Sequence, residues 1–167
     1  MRWLYLTSVW LHILAAIVWI GGMGFLVLVV VPWLRAGARV EAGAFLRETG
    51  ARFRTVGWTC FAILVVTGSI NLWVRGVRPA DLASPAWLAS PFGRAVGLKL
   101  LLFALVLGVS GIHDFVLGPR ATAAIERAPR SPEAERVRRQ ASLLGRANVL
   151  LALCLVALGV VLVRGWP

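Results

Sequence analysis

The residues of this chain best suited to chemistry are two histidines, His12 and His113, the single lysine Lys99, and two sulfur donors, Met23 and Cys60. His12 stands in a run, Tyr5 to Val31, that contains no Asp, Glu, Lys or Arg, and Tyr5 is its only other ionisable side chain. At ~1.5 Å per residue such a run crosses a hydrocarbon core of ~30 Å as a helix. An imidazole at that depth is costly unless it meets a partner, a cavity or a metal, so it marks a candidate site. The plainer alternative is that His12 only hydrogen-bonds a neighbouring helix.

Counting along the apolar runs sorts these residues into two layers. His12 and Lys99 each lie about seven residues inside the same face of the membrane, ~10 Å deep, with Asn71 somewhat nearer that surface. Met23, Cys60 and His113 fall near the opposite end. At ~100° per residue, His12, Ala16, Trp19 and Met23 share one helix face. Cys60, Leu64, Thr67 and Asn71 share a second face, and Lys99, Phe103, Val106, Ser110 and His113 a third. Three helices that each gather their polar residues on one stripe predict a polar seam inside a bundle, because polar groups facing lipid stay unsatisfied. Gly21, Gly22 and Gly24 would let a neighbouring helix or a flat cofactor approach.

The two layers suit different ligands. An imidazole beside an ammonium favours an anionic group or a cofactor carboxylate. Met23, Cys60 and His113 are soft or borderline donors of the kind that take Cu(I). The two histidines differ in depth by ~15 Å, so they are not expected to share one haem within a chain. One histidine, or ligands supplied across a homodimer, would still allow haem.

The elements that must position these residues follow from composition. The chain is 59% hydrophobic with mean hydropathy +0.82, which places it among integral membrane proteins. Spans are expected at about 4–33, 56–74, 92–117 and 147–164, forming one all-α, four-span membrane domain, a four-helix bundle. The first run is too long for a cleaved signal peptide. Cys60 and Cys154 lie within apolar runs and suggest no disulfide framework. Pro32-Trp33 and Gly118-Pro119 are expected to end spans one and three. Ser90-Pro91 and Ser131-Pro132 read as helix starts, and the second should feed a long helix continuing into span four.

The net charge of +11 comes from arginines in the loops, so it reads as topology and anionic-lipid contact, with no nucleic-acid partner. Loops 34–55 and 119–146 hold twelve of these cations, against five in the termini and the 74–94 segment. Both termini are therefore expected to be periplasmic and both arginine-rich loops cytoplasmic.

Short motifs add a resemblance. Leu11-His12-Ile13-Leu14-Ala15-Ala16 with Val18-Trp19-Ile20-Gly21-Gly22 resembles the first helix of the copper resistance protein D (CopD) domain family. Thr67-Gly68, Ser90-Pro91-Phe92-Gly93-Arg94 and Leu98-Lys99-Leu100 extend the likeness over nearly the whole chain. The resemblance implies a role in moving or tolerating copper at the bacterial inner membrane. A histidine early in helix one and a lysine opening helix three also resemble the HemJ-type protoporphyrinogen oxidase. That likeness would make His12 an axial ligand of haem b and Lys99 its essential partner. Val29-Val30-Val31-Pro32 departs from that pattern, which is more basic and aromatic there.

The leading reading is thus a copper-handling membrane bundle that need not be an enzyme. Its alternatives are a haem-dependent oxidoreductase and a non-catalytic accessory subunit whose seam is only packing. The orientation is directly testable. In intact spheroplasts, a cysteine introduced at Ala83 should react with an impermeant thiol reagent, while one at Ile125 stays protected. The reverse pattern would invert the topology.

Overall fold

The computed structural model of the chain describes residues 2–36, 42–128 and 131–165, and these are helical or in short turns, with no strand among them. Helix α1 (Arg2–Phe25) passes through a π-helical turn (Leu26–Val30) into α2 (Val31–Ala36). Then come α3 (Ala42–Val74), two short helices α4 (Pro79–Leu82) and α5 (Pro85–Ala89), and α6 (Pro91–Ile112). A second π-helical turn (His113–Leu117) leads into α7 (Gly118–Arg127), and α8 (Pro132–Arg164) completes the bundle. Four helical stretches are long and apolar enough to cross a membrane: Arg2–Trp33, Arg47–Val74, Pro91–Arg127 and Pro132–Arg164. The chain is an all-α, four-span membrane bundle. Arg39, Val40 and Glu41 of the first arginine-rich loop, and Arg130 of the second, lie outside the described residues.

Helix starts follow local chemistry. The Ser90 and Ser131 hydroxyls accept from the backbone N–H groups of Gly93 (3.0 Å) and Ala134 (3.1 Å). Ser84 accepts likewise from Trp87 at 3.3 Å. Each serine precedes a proline, whose missing N–H costs nothing in a first turn. At the other ends of α3 and α8, Gly76 (φ +86°) and Gly165 (φ +87°) adopt the left-handed conformation that glycine tolerates.

The two prolines expected to stop helices do not. The chain stays helical past Pro32 to Ala36 and past Pro119 to Arg127. A proline in a helix collides with the carbonyl four residues back and offers it no donor. Here those carbonyls belong to Leu28 and Phe115, and both lie within the π-helical turns. Each wide turn closes with a five-residue step, from Val31 N–H to the Leu26 carbonyl and from Gly118 N–H to the His113 carbonyl. The extra residue makes room for the ring.

Packing joins the helices as two antiparallel hairpins, α1 with α3 and α6 with α8. Gly22 of α1 admits the Phe53 ring, and Trp19 lies against Gly57. Gly21 and Gly24 face open space, so of the three glycines only Gly22 serves as a contact. Phe61 anchors the core, with its ring centroid 4.9 Å from Trp19, 5.4 Å from Trp58 and 6.0 Å from Phe103. Val106 and Ala152 beside it are fully buried. Outward-facing Trp3, Leu28 and Val163 are more than 70% exposed to what would be lipid.

One buried amide ties the hairpins together. Asn148 of α8 donates from Nδ2 to Ser110 Oγ (2.9 Å) and to Met23 Sδ (3.5 Å). Interhelical polar contacts in membranes average ~0.6 kcal/mol and reach ~1.7. Asn148→Leu should therefore lower unfolding stability in detergent by about 1 kcal/mol, whereas Leu150→Ala on the lipid face should change it little.

Candidate functional site

His12 sits two turns into α1 and is half-buried against α3. Its Nδ1 lies 2.8 Å from Thr67 Oγ1. The threonine has one hydroxyl proton, and it is directed to the Ile63 carbonyl at 2.6 Å. Thr67 must then accept from the imidazole, which puts a proton on Nδ1 and leaves Nε2 as the free nitrogen. Gly68 flanks the ring, within 4 Å of Cε1 and Nδ1 for any Cβ built there. Ser8 donates to the Thr67 carbonyl at 3.2 Å, so the same turn of α3 is held twice by α1.

Lys99 and Arg75 complete the end of the seam that lies nearest the termini. Lys99 is half-buried on α6, and its ammonium rests against Gly159 of α8. It is close enough to His12 for the two to interact electrostatically, and Arg75 stands in the same relation to Lys99. Arg75 reaches the Tyr5 hydroxyl (3.3 and 3.4 Å) and the Leu162 carbonyl (3.5 Å), linking α1, α3 and α8. Asn71, one turn from both Thr67 and Arg75, keeps a buried Oδ1 without a hydrogen-bond partner.

Deeper in the bundle, Met23 and Cys60 share the buried core cluster with Trp19, Leu64 and Val106. His113 is reached from that cluster through Trp58, which packs against it. Its Nδ1 donates to Asp114 Oδ1 at 3.0 Å, and Asp114 Oδ2 accepts from Trp58 Nε1 at 3.1 Å. Again Nδ1 is tied and Nε2 is left, near Gly145 of α8. A carboxylate behind an imidazole fixes its orientation. Among the described residues, no three of His, Cys, Asp and Glu gather as a metal-holding group.

Of the residues singled out from sequence, the fold joins His12 to Thr67, brings Lys99 near His12, and links Met23 to Ser110 through Asn148. His113 it bonds to Asp114, with its Nε2 near Gly145 of α8. Sequence reasoning missed Asn148, Ser8 and Arg75. Asn148 was within reach, being the amide in an otherwise apolar fourth run. Asp114, expected from its place in the helix to face a different side from His113, instead bonds to it.

Four helices long and apolar enough to cross a membrane define a multi-pass membrane protein, with His12 and Lys99 inside its spans. The family profile of copper resistance protein D matches residues 47–162, and the chain belongs to that family. The matched interval covers the second to fourth spans and leaves His12 outside it. A protein of Aquifex aeolicus (strain VF5), described as an uncharacterized protein, is 33% identical over 153 residues, spanning 90% of this chain and 89% of its own length. No solved structure matches the chain.

The tautomer argument carries its own test. In ¹⁵N NMR of histidine-labelled protein, neutral His12 should show a protonated Nδ1 and a bare Nε2. Thr67→Val should shift the ring toward the Nε2–H form, and Thr67→Ser should not.

Proposed function

We propose that the protein conducts copper, as Cu(I), along the polar seam of the bundle, with both termini on the periplasmic side of a bacterial inner membrane. Family membership supplies the cargo's identity at the level of copper resistance. The observation that carries the reading is the His12–Thr67 bond, which leaves one neutral nitrogen donor free within the membrane-spanning part of α1. Met23 Sδ and the Cys60 thiol offer soft donors further along, and His113 Nε2 offers a second nitrogen toward the arginine-rich loops.

Such a sparse set suits a cargo better than a resident ion. Conduction needs sites a cation can enter and leave, so each must bind weakly. A dense set of thiolates and carboxylates would hold copper instead of passing it. Here one or two donors recur at intervals, and those in the core are uncharged.

Copper accumulation in cells expressing the protein tests this. His12→Ala should reduce accumulation to the level of cells without the protein, while the variant still inserts in the membrane. Cys60→Ala combined with His113→Ala should reduce it as well. Uptake equal to wild type in both variants, together with a Soret band in the purified protein that His12→Ala abolishes, would replace copper by haem.

A further inference from the structure

The first helices of the two hairpins correspond residue by residue. Shifting α1 along the chain by the 87 positions that separate Pro32 from Pro119 superposes His12 on Lys99, Trp19 on Val106, Met23 on Ser110 and Gly24 on Gly111. Two structural features follow the same shift. The π-helical turn Leu26–Val30 falls on His113–Leu117, residue for residue. The buried positions Ser8, Trp19 and Met23 fall on buried Ala95, Val106 and Ser110. The second helices, α3 and α8, are offset slightly differently, and each leads into a glycine of positive φ preceded by arginine: Arg75-Gly76 and, 89 positions on, Arg164-Gly165.

The correspondence locates a site. Met23 and Ser110 are equivalent, and they meet at a single group, Asn148 Nδ2. His12 and Lys99 each lie eleven residues earlier on the same two helices. Eleven residues make about three turns, so both return to the faces that converge on Asn148, ~16 Å nearer the termini. Each rests on a glycine of its own hairpin, His12 on Gly68 and Lys99 on Gly159. We infer that the chain is a duplicated hairpin, and that His12 and Lys99, the equivalent residues of its halves, face each other across one site that binds a small monovalent anion.

Charge selects the ligand class. Neither Lys99 nor Arg75 forms an ion pair among the described residues, and the hydrogen bonds of Arg75 go to a hydroxyl and a carbonyl. Lys99 is partly withdrawn from water and so needs a counter-charge, which no described carboxylate supplies, while Arg75 stands exposed beside it as a second cation. A chloride-sized anion between Lys99 and Arg75 provides it. The copper reading then gains a further step, which rests on that reading: Cu(I) held by His12 Nε2 takes the anion as its second ligand. Two cations beside a path for a cation are reconciled in that way.

Thermal unfolding of the detergent-purified full chain tests the site without copper, with sodium chloride exchanged for sodium gluconate at fixed ionic strength. Wild-type protein should be stabilised saturably by chloride. Lys99→Met should weaken the apparent affinity about tenfold or more, the worth of one charge-assisted hydrogen bond. The exchange variant His12→Lys with Lys99→His should recover most of the response, because the repeat makes the two positions interchangeable. If Lys99→Met does not fold, Arg75→Gln serves as the charge-removing variant. A chloride-insensitive wild type, an unchanged response in the folded charge-removing variant, or a folded exchange variant no better than Lys99→Met would each overturn the inference. Cu(I) titration of the same preparations keeps the two readings separate. Chloride stabilisation without copper binding would sustain the anion site and refute the copper path. Copper binding with no chloride response would do the opposite.

Discussion

Within hydrocarbon, a hydroxyl, amide or imidazole has no water to turn to, so each must find its partner inside the bundle. Thr67 illustrates how far this constraint reaches. Its proton goes back to the Ile63 carbonyl, and its lone pair is thereby available to His12. Its own carbonyl is taken by Ser8. Those bonds set the register of α1 on α3, because a shift of one residue along either helix would rotate the imidazole ~100° away from the hydroxyl. The same bonds decide which ring nitrogen is free. The chemistry available to the seam is therefore a by-product of satisfying one threonine.

Asn148 plays the matching part for the other hairpin. Its single amide nitrogen serves acceptors on α1 and α6 together, so the two hairpins are locked where Met23 and Ser110 approach most closely. Its Oδ1 stays buried and unpartnered, as does that of Asn71 nearer the termini. Unsatisfied acceptors at two levels of one seam are costly in a membrane protein.

The helices and the sharing of polar faces were legible in the sequence because both rest on short-range periodicity. His12 meets Thr67 as their stripes require, and Ser90 and Ser131 begin helices as serine before proline should. What escaped was every feature that breaks the period. A proline read alone predicts a helix end, and only the π-helical turns before Pro32 and Pro119 let the helix continue. Asp114 lies within the second of these turns and bonds to its chain neighbour His113 at 3.0 Å, a contact between adjacent side chains that no periodicity signals. Asn148 escaped for another reason, because a single amide in an apolar run forms no stripe.

Duplication also explains why the seam is unequal at its two levels. Two identical hairpins would place two histidines, or two lysines, across the axis. Paired lysines at close range in a medium of low dielectric repel strongly, and paired imidazoles hold a metal more firmly than a path for it can use. A histidine opposite a lysine avoids both outcomes: one half offers a lone pair and the other a positive charge. At the deeper level the halves diverged more mildly, to a thioether facing a hydroxyl, and one amide proton donor satisfies both. The pairing that confronts charge has therefore kept an open ligand position, while the pairing without charge is bridged by a single amide.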